Sequence, residues 1–146
     1  MSRLFKTVPD TNVILASEKT TSSTSPNKEY INHWLEGRID LLYSDDTLLE
    51  YVEKLNEKGI KYTRIVKLLT SIQKIGKPVY ILFYHLPFYP ADEKDIAFVL
   101  CADNGAATHL LSYDMDLKTL NGSYSFKICE PLEFLFELRE SLPLSS

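Results

Sequence analysis

The stretch Leu4-Phe5-Lys6-Thr7-Val8-Pro9-Asp10-Thr11-Asn12-Val13-Ile14-Leu15 decides the fold. Its first half is an apolar, β-branched run that reads as a strand ending near Val8. Pro9-Asp10 turns the chain, and Val13-Ile14-Leu15 opens a short helix. Outward from this strand-to-helix step the same alternation repeats. Residues 29–36 carry Tyr30, Ile31, Trp34 and Leu35 at helical spacing, with Gly37 as a C-cap. Residues 39–43 read as a short strand. Ser44-Asp45-Asp46 offers N-caps for a helix over 47–58, and 61–75 is a second amphipathic helix. The run Val-Tyr-Ile-Leu-Phe-Tyr at 79–84 has the pattern of a strand buried on both faces. A helix over 91–102, strands over 108–112 and 125–129, and a helix over 131–139 complete the chain, with Phe134 and Phe136 read as core. Strands separated by helices pair in parallel with helices on both faces. The expected fold is one three-layer α/β/α domain over residues 1–146, with a short, mostly parallel sheet of four or five strands. No repeat or domain boundary interrupts it. The polar stretch 17–28 reads as a mobile surface loop.

Composition narrows the class further. A chain of 146 residues can bury a sizeable core, and 45% hydrophobic with 25% charged residues excludes disorder and a disulfide scaffold. No apolar run reaches the length of a membrane span. Lys6 and Asp10 come too early for a signal-peptide core. Cys101 and Cys129 lie in apolar surroundings at no metal-ligand spacing, so they read as reduced, buried thiols of a cytoplasmic protein. A net charge of −4 gives no global nucleic-acid footprint. One segment departs from this. Residues 54–77 hold seven basic side chains against the single acid Glu57, a net of +6, which leaves −10 for the remainder. Lys54, Lys58, Lys61, Arg64 and Lys67 are the candidates for RNA phosphate contacts, beside the plainer reading of a solvated helix face. Tyr51 and Tyr62 could stack bases or pack.

An open parallel sheet binds ligands beyond the carboxyl ends of its strands. Asp10 follows the first strand. Asp114 follows the strand over 108–112, with Asp116 two residues on. Glu50 lies in the helix after the second strand, and Asp95 near the start of the helix preceding the Asp114 strand. Carboxylates held together raise one another's pKa, a penalty that a hard divalent cation removes. Mg²⁺ and Mn²⁺ prefer oxygen ligands, and such a site suits phosphodiester hydrolysis. Each acid also has a plainer reading. Asp10 closes a turn, Glu50 is solvated, Asp95 favours a helix N-terminus, and Asp114, Asp45 and Asp46 are caps. His33, His85 and His109 pair with no Ser or Cys nucleophile and read as structural.

The blocks around these acids resemble the PIN-domain family. Val8-Pro9-Asp10-Thr11-Asn12-Val13-Ile14-Leu15 is similar to its opening motif, Asp-Thr-Asn after an apolar strand. Trp34-Leu35-Glu36-Gly37-Arg38 through Ser44-Asp45-Asp46-Thr47-Leu48-Leu49-Glu50-Tyr51 resembles the second block, ending in Glu and an aromatic. Lys94-Asp95-Ile96-Ala97-Phe98-Val99-Leu100-Cys101-Ala102 resembles the third. Leu110-Leu111-Ser112-Tyr113-Asp114-Met115-Asp116-Leu117 resembles the fourth, usually Val-Thr-x-Asp-x-x-Leu. The order is that of the family.

This resemblance implies a metal-dependent endoribonuclease akin to VapC-type toxins, with Mg²⁺ or Mn²⁺ as cofactor and RNA as substrate. Asp10, Glu50, Asp95 and Asp114 would be the catalytic, metal-holding cluster, and Asp116 an auxiliary ligand. Thr11, Asn12 and Ser112 would be polar support. An antitoxin protein, a segment of which would cover a groove between the early helices, and a homodimer are the implied further partners. Ser112 stands where Thr is usual, residues 17–28 replace a more apolar segment, and Asp92 competes with Asp95 for the third position. The alternative is a catalytically inactive PIN-like module that binds RNA or protein; four intact acids speak against it. A haloacid-dehalogenase-type phosphatase would carry a second Asp where Asn12 stands. A receiver domain needs a Lys after the last strand, where Glu130-Pro131 stands.

Overall fold

The computed structural model describes residues 5–22 and 24–142. Leu4, where the first strand was expected to begin, and Ser23 of the polar stretch lie outside them. Five strands form one parallel sheet in the order β3-β2-β1-β4-β5: β1 (Lys6–Pro9), β2 (Asp40–Tyr43), β3 (Lys77–Pro78), β4 (His109–Leu111) and β5 (Lys127–Cys129). Thr7 pairs with Leu41 on one side of β1 and with His109 on the other. The helices are α1 (Thr11–Lys19), α2 (Pro26–Leu35), α3 (Asp45–Glu57), α4 (Tyr62–Ile75), α5 (Ile96–Asn104), α6 (Met115–Lys118) and α7 (Pro131–Ser141). The α/β/α layering expected from the alternation is present.

Side chains alternate across a strand. Phe5, Thr7 and His109 face one side, where Phe134 of α7 meets the rings of Phe5 and His109 edge-on at 5.4 and 5.0 Å. Tyr30 of α2 closes this layer through a 2.7 Å hydrogen bond between its hydroxyl and Thr7 Oγ1. Val8 and Leu110 therefore face the other side, where α5 packs across β1, β2 and β4. Both are fully buried.

The chain leaves β1 to build β2 and β3 on one side, then returns to place β4 and β5 on the other. The order thus reverses between β1 and β4. The crevice beyond their carboxyl ends is the topological switch point, where open α/β sheets bind ligands.

Several boundaries differ from the sequence reading. Residues 79–84 are not a buried strand. Pro78 lacks an N–H and ends β3 on the sheet edge, as proline does. Val79 N donates once more to Tyr43 O, at 2.7 Å. Beyond it, the backbone N–H groups of Leu82 and Phe83 both donate to Asn104 Oδ1, so one side-chain amide stands in for a neighbouring strand. The helix expected over 91–102 begins as a 3-10 turn, Glu93–Asp95, capped by Asp92, whose Oδ1 accepts from Lys94 N at 3.0 Å. Both ends of the polar stretch 17–28 are helical, since α1 runs to Lys19 and α2 starts at Pro26. Ser17 is buried with its hydroxyl on Ile14 O. Phe136 is 56% exposed rather than core, under the Arg139 guanidinium 5.6 Å away. Gly37 does end α2, at a φ of 82° that favours glycine.

Candidate active site

Asp10 is the first residue beyond β1 and the N-cap of α1. Its Oδ1 accepts from Val13 N at 3.1 Å, and its own N–H donates to Leu111 O at 2.9 Å, extending the β1–β4 pairing by one bond. Its Oδ2 accepts a hydrogen bond from Ser112 Oγ. Ser112, the first residue beyond β4, is fully buried, and the same hydroxyl oxygen accepts from Asp114 N at 2.9 Å. One hydroxyl therefore ties together the loops carrying the first and fourth acids. Asp114 caps α6 through Oδ1, which accepts from Asp116 N at 2.8 Å.

Asp95 ends the 3-10 turn at the head of α5. Its Oδ2 is buried and has no hydrogen-bond partner. Burial raises its carboxyl from 3.8 to about 7, helped by the charges of Asp114, Asp92 and Asp10. Burial also raises Asp10 to about 6, with Asp114 adding to it. The hydrogen bonds from Ser112, Val13 and Asn12 pull the other way. Asp10, Asp95 and Asp114 thus feel one another directly. Glu50 lines the same cavity from α3, and its pKa is raised by burial, Glu53, Asp92 and Asp46, against Lys94. Asp10, Asp95 and Asp114 are not among its electrostatic neighbours.

The cavity, about 120 Å³, is also lined by Thr11, Asn12, Glu53, Lys54, Glu57, Asp92, Lys94 and Phe98. Both Asp92 and Asp95 belong to it. The sequence reading missed Glu53, Glu57 and Lys94. Glu53 and Glu57 stand three and seven residues after Glu50, one face of a helix, and that spacing was the available signal. Lys94 had no signal beyond its place next to Asp95. Asp116 is exposed and outside the lining.

Tyr51, considered above for base stacking, is instead fully buried, and its hydroxyl donates to Pro9 O. It fastens α3 to the end of β1, beside Asp10. Tyr62 is exposed. The basic segment divides. Lys54 lines the acidic cavity, while Lys58 and Lys61 are exposed away from it. Arg64 is paired with Glu18 at 2.7 Å and lines, with Lys67, a separate groove between α1, α2 and α4. His109 is bonded to Glu137 at 2.8 Å and His33 lies 3.5 Å from Glu29, while His85 is exposed with its ring edge-on to Tyr89. Cys101 and Cys129 are free and buried.

The donor set suits a hard cation: carboxylate oxygens, one of them buried without a partner. Among the described residues, no three His, Cys, Asp or Glu side chains are gathered tightly enough to enclose an ion alone. Mg²⁺ does not need such a cage, since it binds through one or two carboxylates and keeps waters and substrate phosphates as its other ligands. The residues present fit that mode.

The carboxylates of Asp10, Asp95 and Asp114 thus stand at the switch point of a parallel α/β/α domain, beyond the carboxyl ends of β1 and β4. This chain belongs to the PIN-domain family, whose model matches residues 6–116, a span that contains Asp10, Glu50, Asp95 and Asp114. PIN domains are generally nucleases and generally use divalent metals. No curated protein matches the sequence. Among the described residues, no helix is long and apolar enough to cross a membrane.

Proposed function

We propose that the protein is an endoribonuclease dependent on Mg²⁺ or Mn²⁺, hydrolysing RNA phosphodiester bonds over the cavity formed by Asp10, Glu50, Asp95 and Asp114. The observation that carries this reading is buried Asp10 and half-buried Asp95 set beside Asp114, with the two carboxyls raised to about 6 and 7 and Asp95 Oδ2 left unpartnered. A carboxylate oxygen buried without a partner costs stability, and folding alone gives nothing back for it.

Asp10, Asp95 and Asp114 would hold the cation. Bound there, it would supply a water of lowered pKa and offset charge on the phosphoryl oxygens. Glu50, its pKa raised, would take a proton from the attacking water at its carboxylate. Lys54 and Lys94, the two cations lining the cavity, would hold phosphates of the strand, and Thr11 and Asn12 would orient them. Ser112 keeps Asp10 and Asp114 in register.

The test is cleavage of mixed single-stranded and structured RNAs with Mg²⁺, Mn²⁺ or EDTA, run beside Asp10→Asn and Asp114→Asn. Metal-dependent cleavage by wild type alone is expected. Full activity in either variant would overturn the assignment. No cleavage and no effect of either metal on melting would leave a module that only binds RNA or protein. The toxin role is part of the same reading: expression of wild type, but not of Asp10→Asn, should arrest growth of a bacterial host.

A further inference from the structure

The sheet edge that carries the acidic cavity holds a second opening. Tyr43 is the last residue of β2, Pro78 the last of β3, and Asp45 opens α3. With Asp46, Tyr80 and Tyr84 they line a groove of about 310 Å³ beyond the carboxyl ends of β2 and β3. β2 is the neighbour of β1 in the sheet, so this groove lies one strand along the edge from Asp10. The two openings share α3. Asp46 lines the groove and Glu50 the cavity, four residues or about 6 Å apart along the helix and on the same face. The charge of Asp46 reaches Glu50.

The groove has an aromatic wall and an acidic one. Val79 N donates to Tyr43 O at 2.7 Å, and Leu82 N and Phe83 N donate to Asn104 Oδ1, so the backbone is tied on both sides of Tyr80. Leu86, buried in the core, anchors the chain two residues past Tyr84. Tyr80 and Tyr84 are thereby held outward, 78% and 67% exposed, and exposed rings on a fixed backbone take up bases by stacking. The acidic wall consists of acceptors. Asp45 and Asp46 are exposed, and among the described residues neither carboxylate has a hydrogen-bond partner. No Lys or Arg lines the groove, so it repels a phosphate. What fits is a flat group that presents donors. Of the four RNA bases, guanine alone shows two adjacent donors, N1–H and N2–H, to the two oxygens of a carboxylate. Adenine, cytosine and uracil each set an acceptor beside the donor, which a carboxylate repels.

The geometry points to this groove as a base-specificity subsite: it takes a guanine of the RNA strand, stacked on Tyr80 and Tyr84 and read by the Asp45 and Asp46 carboxylates, while a neighbouring phosphate lies over the acidic cavity. The inference rests on the nuclease reading for the course of the strand, whose phosphates Lys54 and Lys94 would hold in the cavity. A cationic side chain of a protein partner also suits tyrosines and carboxylates. The base is favoured because the groove opens one helical turn from Glu50, within a nucleotide's reach of a strand held there.

Fluorescence anisotropy in EDTA, where a metal-dependent reaction is silent, tests it with labelled uridine heptamers carrying G, A, C or U at the central position. Wild type is expected to bind the guanine heptamer roughly tenfold tighter than the other three. Asp45→Asn/Asp46→Asn should erase that preference without weakening the all-uridine heptamer, and Tyr80→Ala/Tyr84→Ala should weaken the guanine heptamer most. All four side chains are exposed, so both double variants should keep the wild-type far-UV spectrum. Equal affinity of wild type for the four heptamers, or binding of none, would overturn the subsite. So would a guanine preference that survives in Asp45→Asn/Asp46→Asn. Binding of tetra-arginine that the guanine heptamer does not displace would overturn it too and make the groove a cation cage. A guanine preference in EDTA with no cleavage in Mg²⁺ or Mn²⁺ would sink the nuclease reading and leave the subsite standing.

Discussion

Asp10 shows most clearly what the site costs the fold. Its carboxyl sits at about 6 in the folded chain against 3.8 ordinarily. Below 3.8 it is protonated folded or unfolded and costs nothing. As pH rises through the window to about 6 the unfolded chain releases its proton first, so stability falls and stays lower above it. In EDTA-treated protein that loss is on the order of 3 kcal/mol. Asp10→Asn keeps the helix cap and removes the charge. At neutral pH without metal it should melt several degrees above wild type, and the difference should vanish as acid protonates Asp10. A variant melting below wild type at neutral pH would mean that the carboxylate stabilises the metal-free fold. Ser112 tests positioning at the same scale. Ser112→Ala removes the hydroxyl that joins Asp10 to the Asp114 loop, and cleavage should drop roughly 10–100-fold while Ser112→Thr is spared. Equal losses in both would take the hydroxyl out of the argument.

At the scale of elements, α3 links the sheet to the cavity. Ser44 and Thr47 form a reciprocal capping box at its start, with Thr47 N bonded to Ser44 Oγ at 3.2 Å and Ser44 N to Thr47 Oγ1 at 2.9 Å. One turn on, Tyr51 anchors it to Pro9 O. Glu50 and Lys54 owe their places to that anchor. Tyr51→Phe leaves a buried carbonyl without its donor and should cost about 1–3 kcal/mol in urea unfolding. Its effect on cleavage should be much smaller than that of Glu50→Gln. A Tyr51→Phe variant as stable as wild type would show that the hydroxyl does not hold the element. The apolar segment after β3 teaches the opposite lesson about elements. Its composition is that of a central strand, yet Pro78 and the end of the sheet leave it no strand to pair with.

Across the whole molecule, binding and folding are linked. A cation that binds only the folded chain stabilises it by about 2.7 kcal/mol at a hundredfold excess over its dissociation constant. Mn²⁺ or Mg²⁺ should therefore raise the melting temperature of wild type, and much less that of Asp10→Asn or Asp95→Asn. Equal shifts in all three proteins would place the ion elsewhere. The acids come from four distant stretches and meet only because β4 returns beside β1. Loss of the fold and loss of the site are one event.

The sequence alone determined the parts whose physics is local. Strand-to-helix alternation required a parallel layered sheet. Asp10 and Asp114 could be placed at the sheet's carboxyl end because an acid within a few residues after a strand must stand there. Gly37 and Ser44 ended and began helices for reasons contained within a few residues. What only the tertiary structure decided depends on neighbours distant in sequence. It made Tyr51 an anchor rather than a stacking platform, since Pro9 O waits 42 residues away. It gathered Glu53, Glu57 and Lys94 into the cavity and left Asp116 outside it. It turned residues 79–84 outward, because an apolar run says that a surface wants covering and only the assembled sheet says whether this chain can cover it.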